Sequence, residues 1–310
     1  MHSLKFKFFR FGERFASSPF AFVLSPISWV WGLVSKIRNF LYDRRWIRVE
    51  RVNVPVVSVG NLSAGGTGKT PLVILLARQF PDRKIAVLAR GYGARKGELN
   101  DEMEVIRRHI PGARLYQGVD RVALARQAEE DGAELILVDD GFQYRRLHRD
   151  FDLVVVRNGD FFDTFLPRGR LRESPDQLKR GDARFSYEPV EGAIRLKNRC
   201  TRIVDLKGQE ISSIRGERVA LFCGIGNPKR FKELILSLGA EIAAEKYLAD
   251  HEPFLEWKEL NVKYLVCTEK DYVKLGAVDL PIVWIEIEAE VAEGEDQWQN
   301  LIAKIGASIG

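Results

Sequence analysis

The sequence predicts an α/β fold built on a mainly parallel sheet, and three stretches carry that reading. A β-rich apolar run, Val54 to Val59, stops at Gly60 and gives way to a glycine-rich loop, after which Lys69-Thr70 opens a helical pattern through Phe80. Further on, Glu134-Leu-Ile-Leu-Val-Asp-Asp-Gly-Phe-Gln143 runs four apolar residues into two acids, and a parallel strand buried on both faces reads as such a continuous hydrophobic run. A second strand–loop–helix unit then starts at Arg218-Val-Ala-Leu-Phe-Cys223 and Gly224-Ile-Gly-Asn-Pro-Lys229. At 310 residues the chain has room for two domains of ordinary size.

Composition narrows the class. Hydrophobic residues make up 45% and charged residues 29% of the chain, the balance of a soluble globular protein. Cys200, Cys223 and Cys267 have no metal-ligand spacing, and an odd number of dispersed thiols suits a reducing cytosol better than a disulfide framework. The net charge of +5 is unevenly placed: residues 1–51 hold ten Lys/Arg against Glu13, Asp43 and Glu50, so that end is +7 and the remainder about −2. A basic N-terminus on a near-neutral body points to an anionic surface local to that end, and away from nucleic acid as a partner.

Phe15 to Ser35 contains no charged residue and includes Trp29 and Trp31. A spanning helix needs roughly 20 strongly apolar residues, and Pro19, Pro26 and five serines dilute this run. Ser25-Pro26 makes a good N-cap and first helical position, after which Ile27, Val30, Trp31, Val34, Ile37 and Leu41 recur at helical spacing. Such a face beside basic residues suits a helix lying in a membrane interface; the alternative is a helix packed on the protein's own core.

The loop Ser63-Ala64-Gly65-Gly66-Thr67-Gly68-Lys69-Thr70 is the predicted nucleotide site. Backbone N–H groups and the positive end of a helix dipole converge there on phosphate. Lys69 is placed to reach the β- and γ-phosphates, and the Thr70 hydroxyl to ligate Mg²⁺. The usual pattern G-x-x-x-x-G-K-[ST] would put glycine where Ser63 stands. Downstream, Lys84-Ile-Ala-Val-Leu-Ala-Arg90 reads as a buried strand ending at Gly91-Tyr-Gly93, followed by a polar loop, Arg95 to Asn100. A helix is predicted from Asp101-Glu102, a short strand at Arg114–Gln117 and a helix from Asp120 to Asp131. Asp139 and Asp140, at the C-terminal end of their strand, can meet the metal held by Thr70. Asp152–Val156 adds a strand. Arg168, Arg170 and Arg172 can grip phosphate bidentately, or form a solvated loop.

Residues 183–216 read as a connector with short strands. Strands also fit Lys263–Thr268 and Pro281–Ile287, with a final helix over Asp296–Ile305. Gly224-x-Gly226 lacks the third glycine of a dinucleotide fingerprint and reads as a turn. Thr268-Glu-Lys-Asp271 lacks the asparagine of a guanine-reading motif. His251 sits in a polar turn, where it is either structural or catalytic.

Taken in order, these motifs resemble one family. Asn39-Phe-Leu-Tyr-Asp43, Ser58-Val-Gly-Asn-Leu-Ser-Ala-Gly-Gly-Thr-Gly-Lys-Thr-Pro71, Arg90-Gly-Tyr-Gly93, Asp139-Asp-Gly-Phe-Gln143, Leu166-Pro-x-Gly-x-Leu-Arg-Glu173, Phe222-Cys-Gly-Ile-Gly-Asn-Pro228 and Asp250-His251 together resemble tetraacyldisaccharide 4′-kinase, of the lipid A pathway. In that family Ser or Thr stands where Ser63 does. The resemblance implies two α/β/α domains joined by a two-stranded linker: a membrane-associated helical segment over 1–50, a P-loop kinase domain over 51–184, a β linker over 185–216 and a second α/β domain over 217–310. It implies transfer of the ATP γ-phosphate to the 4′-hydroxyl of a tetraacylated disaccharide 1-phosphate at the cytoplasmic face of the inner membrane, with Mg²⁺ and with no obligate protein partner. The family's Gly-Asp-Glu-Pro segment matches Asn100-Asp-Glu-Met103, which makes Asp101 the implied base, with His251 as its partner. The candidate set also takes Glu102 for the metal and Asn61 for the substrate. Tyr144 replaces a family histidine and inherits no role. Two rival classes remain: a metallochaperone or partitioning ATPase, whose loop would carry a lysine where Ala64 stands, and a non-catalytic nucleotide-sensing membrane adaptor with the N-terminal helix as its functional element.

Overall fold

The computed structural model describes residues 19–94, 97–247, 261–275 and 280–310. Asp250 and His251 lie outside them, as does part of the polar loop predicted at Arg95 to Asn100. The described residues form one twisted sheet, with strands β1 (Val56–Asn61), β2 (Ile85–Ala89), β3 (Arg114–Gln117), β4 (Leu135–Asp139), β5 (Phe151–Val155), β6 (Ala183–Ser186), β7 (Ile194–Asp205), β8 (Arg218–Cys223), β9 (Glu241–Tyr247), β10 (Tyr264–Thr268) and β11 (Ile282–Glu293). Their spatial order is β3-β2-β4-β1-β5-β6-β7-β11-β10-β8-β9. Every neighbouring pair is parallel except β7 with β11. The helices are α1 (Ser25–Asp43), α2 (Lys69–Ala77), α3 (Asp101–His109), α4 (Arg121–Glu130), α5 (Pro228–Ser237), α6 (Glu269–Tyr272) and α7 (Glu295–Ile309).

β1, β2 and β4 are buried at every position, so helices must cover both faces of this part of the sheet. Leu72, Val73 and Leu76 of α2 pack with Val57, Leu137 and Leu153 on one face. Val122, Ala125 and Ala128 of α4 pack with Ala86, Leu88 and Ile136 on the other. In the second half Phe231 and Ile235 of α5 cover Val219, Leu221 and Val266. The last helix returns to the first half: Trp298, Leu301 and Ile305 of α7 join the core beneath α2.

Three details depart from the sequence reading. The connector holds one long strand, β7, twelve residues paired with an equally long β11. Lys197, Arg199 and Arg202 face Glu286, Glu288 and Glu290 across the pair, so polar residues occupy the face that an apolar period would need. β9 was not anticipated: it is an edge strand whose residues alternate between exposed and half-buried. Ser25 does not cap α1. Leu24 holds that position without a side-chain cap bond, and Ser25 Oγ accepts from Arg168 Nη1 at 3.0 Å.

α1 docks by its small polar face. Ser28, Gly32, Ser35 and Asn39, at helical spacing, are its buried residues, and a Cβ on Gly32 would come within 2.7 Å of the Phe165 ring. Trp31 Nε1 donates to the Arg172 carbonyl (3.2 Å), and the fully buried Glu173 accepts from Arg38, Asn39 and Arg180. The apolar residues point away: Trp29 is 73% exposed, Val30 61% and Leu33 59%. The helix thus does pack on the protein, as the alternative has it, but by its small polar face and not by its apolar one. No helix among the described residues is long and apolar enough to cross a membrane.

Candidate active site

β1 delivers the chain to the phosphate loop at the end of the sheet where its parallel neighbours β4 and β5 also finish. From Leu62 to Ala64 the loop runs extended beside Leu171: Ala64 N–H donates to Arg170 O and Arg172 N–H to Leu62 O, both at 2.8 Å. A residue paired in this way needs no glycine. Ser63 is buried, and its Oγ accepts from Arg157 Nη2 at 2.6 Å. The left-handed turns come later, at Gly65 (φ 102°) and Gly68 (φ 93°). Gly68 caps α2 without a side-chain bond, which leaves first-turn N–H groups for an anion. Asn61 is turned inward: its Nδ2 donates to Ser63 O (2.6 Å) and Thr67 Oγ1 (3.0 Å), bracing the loop.

The two acids after β4 have opposite surroundings. Asp139 faces Thr70, with Oγ1 3.5 Å from Oδ2, and its Oδ1 is buried with no hydrogen-bond partner. Burial, with the Glu102 carboxylate nearby, pushes its carboxyl up to about 7. Asp140 sits at φ 53°, with Lys69 Nζ 3.4 Å from Oδ1 and Arg172 Nη1 at 2.8 and 2.7 Å from its two oxygens. Burial opposes its ionisation, but Arg172 and Lys69 outweigh burial and hold the carboxyl well below its ordinary value. An orphaned, reluctantly ionised oxygen beside a threonine hydroxyl fits a hard divalent cation, which takes oxygen ligands. Asp140, already neutralised by two cations, does so less well.

Asp101 and Glu102 open α3, where Asn100 Oδ1 caps by accepting from Met103 N–H at 3.0 Å and where acids favour the helix dipole. Lys274 Nζ lies 2.9 Å from Asp101 Oδ2, and Lys270 Nζ lies 3.6 Å from the same oxygen and 2.9 Å from Glu102 Oε1. Burial raises the Asp101 carboxyl, and Lys270 and Lys274 more than offset it, leaving Asp101 below its usual value.

The predicted residues therefore fall into groups. Lys69, Thr70, Asp139 and Asp140 come together, and Glu102 lies near enough to Asp139 to raise it. The three arginines separate. Arg172 enters the site, Arg168 is exposed and turned to Ser25, and Arg170 is exposed with its backbone paired to Ala64.

Five residues and one turn escaped sequence reasoning. Arg157 braces Ser63. Arg121, 4% exposed, stacks over Tyr144 with Asp140 and Asp139 nearby. Lys270 comes from the segment read only as a failed guanine motif, and Lys274 lies three residues beyond it. The turn Gly224–Gly226 is seated directly on the phosphate loop, since a Cβ on Gly226 would lie 2.0 Å from Gly66 N. Asp271 holds that turn, its Oδ1 accepting from Gly224 N–H at 3.0 Å.

A glycine-rich loop between a buried strand and a Lys-Thr helix start, with paired acids at the end of the adjacent parallel strand, defines a P-loop nucleotide-binding protein. Residues 20–306 match the family model described as LpxK, tetraacyldisaccharide-1-P 4′-kinase, and the chain belongs to that family. It is 36% identical to a tetraacyldisaccharide 4′-kinase of Syntrophus aciditrophicus over 95% of each chain, and 29% identical to one of Aquifex aeolicus over 91% of this chain and 98% of that one. A crystal structure of LpxK from Aquifex aeolicus in complex with ATP superposes with a TM-score of 0.75 at 26% identity, covering 92% of this chain and 99% of that chain.

Proposed function

We propose that the chain is an ATP-dependent lipid kinase that moves the γ-phosphate of ATP onto the 4′-hydroxyl of a tetraacyldisaccharide 1-phosphate at a membrane surface. Family membership supports the reaction. The observation that carries the site is the meeting of a phosphate loop and its acids, from the first half, with Asp101 and Glu102 held by lysines of the second. Phosphoryl transfer asks for positioning and charge neutralisation more than covalent chemistry.

In this reading the loop amides from Ser63 to Thr70 and Lys69 bind the phosphates, while Arg172 and Arg121 add positive charge around Asp140. Thr70, Asp139 and Glu102 hold Mg²⁺, which supplies charge neutralisation on the nucleotide. Asp101 accepts the proton of the sugar hydroxyl, and His251 is its partner. A general base contributes about 10²–10⁴-fold. Residues 51–184 act as the kinase domain and 217–310 as the second domain, whose last helix, α7, packs back on the core of the first. The linker, 185–216, contains β7, half of the one antiparallel pair in the sheet.

The acceptor arrives from the lipid side. The apolar face of α1 lies in the membrane interface at the cytoplasmic face of the inner membrane. Its polar face is tied to Arg172, so the helix holds the cleft near acyl chains that stay in the lipid. A cavity of about 460 Å³ lies beside α1, lined by Arg38 and Tyr42 of the helix and by Asp120, Gln143, Tyr144 and Arg145. Transfer of radiolabelled γ-phosphate from ATP to the lipid disaccharide tests the reaction, and ATP hydrolysis that ignores the lipid would instead indicate the partitioning-type ATPase. Co-sedimentation of Trp29→Ser/Leu33→Ser with anionic vesicles tests the membrane reading, which fails if binding matches the parent chain.

A further inference from the structure

The segment Thr268-Glu-Lys-Asp-Tyr272 starts α6 in the second half, and each of its residues is engaged at the junction with the first. Thr268 Oγ1 accepts from Asp271 N–H, and Asp271 in turn holds the Gly224 turn against the phosphate loop. Glu269 Oε2 lies 2.8 Å from His109 Nε2, at the far end of α3. Tyr272 stacks on Trp284 at 5.0 Å, and the Arg108 guanidinium sits over both rings. Between these anchors Lys270 reaches Glu102 at 2.9 Å and Asp101 at 3.6 Å. Helix α3 is thus clamped at both ends by one short turn, and the cation of that turn falls among the acceptor-side carboxylates.

We propose that Lys270 is a positioning residue of the transfer reaction: its ammonium holds Asp101 and Glu102 in place beside Asp139 and stands in for the divalent cation there. The inference rests on the kinase reading for the identity of the reaction, but not for the geometry. Glu102 and Asp139 repel each other, and Asp139 has one buried oxygen without a partner. An ammonium on Glu102 relieves part of that repulsion. It also competes with any metal that takes Glu102 as a ligand, because both cations seek the same oxygen. A lysine that only supported the fold would weaken metal binding when removed, since Glu102 would lose its position. A lysine that competes does the opposite. Its loss leaves the carboxylates more negative, so metal binds more tightly, while catalysis falls because Glu102 loses its cation and Asp101, left with Lys274 alone, shifts from where the hydroxyl arrives.

The test measures two quantities on the full chain. Mn²⁺ binding, in place of Mg²⁺ and with a non-hydrolysable ATP analogue, is read by electron paramagnetic resonance. The second is kcat, with KM for ATP, in the transfer assay. Lys270→Met should bind Mn²⁺ several-fold more tightly and lose about 10²-fold in kcat, the cost of roughly 1 Å of misplacement, with KM for ATP nearly unchanged. Lys270→Arg, which keeps the charge, should recover most of kcat and the parent Mn²⁺ affinity. Lys270→Gln keeps a hydrogen-bonding head and replaces the Met variant if that one does not fold. Parent-like kcat in the uncharged variant, or Mn²⁺ binding that is unchanged or weaker, overturns the proposal. Mn²⁺ binding needs no lipid, so a parent chain that binds the metal–nucleotide pair yet transfers nothing would count against the kinase reading alone.

Discussion

The phosphate loop and the carboxylates that open α3 serve the same site, but the first is assembled within one half of the chain and the second across both. Ser63, Lys69, Thr70, Asp139 and Asp140 sit at the ends of the adjacent strands β1 and β4, and Arg157 at the end of β5 braces them. Asp101 and Glu102 instead take their partners, Lys270 and Lys274, from α6 and the residues just after it, about 170 residues downstream. A donor pole built on neighbouring parallel strands is rigid because its backbone ladder is continuous. An acceptor pole built on ion pairs between two halves depends on how those halves meet. A phosphate-binding machine can thus keep its nucleotide site fixed while the acceptor side answers to the junction.

Breaking the donor pole at its charge should have the largest effect. Lys69→Met removes the cation expected on the transferring phosphoryl group; a single cation there, such as an arginine finger, is worth about 10³–10⁵-fold in phosphoryl transfer, and steady-state kinetics should show both kcat and ATP affinity falling. Breaking the acceptor pole should separate the two quantities. Asp101→Ala is expected to lower kcat by about 10²–10⁴-fold and leave ATP affinity, measured by calorimetry, near the parent value. A parent-like kcat would remove Asp101 from the mechanism.

Asp139 lies between the poles, and its ionisation sharpens the comparison. Its carboxyl is pushed up to about 7 from an ordinary 3.8, so the metal-free fold must ionise it at a cost that an unfolded chain does not bear. With a raised carboxyl pKa, that cost is absent below the unfolded value, grows as pH rises between the two values, and is complete above the folded one. Metal-free Asp139→Asn should therefore be more stable than the parent by about 1–3 kcal/mol at alkaline pH. Denaturant midpoints taken down the pH scale should show that gap closing towards pH 4. A gap that widened on acidification would contradict the assigned surroundings of Asp139.

The smallest effect tests why the loop departs from its usual pattern. Ser63→Gly restores the expected glycine but takes the acceptor from Arg157. A hydrogen bond to a charged group is worth upwards of about 1.5 kcal/mol, so ATP binding should weaken about tenfold. Ser63→Thr should preserve it. Equal or tighter binding by the glycine variant would mean that the serine is not a brace.

How much of this was readable in the chain follows from the same contrast. The donor pole obeys short-range rules. A buried parallel strand must be apolar throughout, a phosphate loop must be small and glycine-rich, and the helix after it must begin at the loop, so β1, α2 and β4 with Lys69, Thr70, Asp139 and Asp140 stand out in one dimension. The strand at Arg218–Cys223 was readable for the same reason. β9 and the full length of β7 and β11 were not, because half-exposed strands with charged ladders carry no apolar period. Asn61 looked available to a substrate, and only its contacts to Ser63 and Thr67 place it inside the loop.

By itself, then, the sequence determined the class of fold, the nucleotide loop, the acids that accompany it and an amphipathic N-terminal helix, since each depends on residues near one another in the chain. The tertiary structure decided which face of α1 is buried, because Ser28, Gly32, Ser35 and Asn39 meet a loop more than a hundred residues away. It decided that Asp140 is spoken for by Arg172 and Lys69 while Asp139 keeps an unpartnered oxygen. It also brought Lys270 to Asp101 and Glu102. Electrostatic partners are chosen by distance in space, and a pairing between α3 and α6 leaves no periodic trace in the order of the residues.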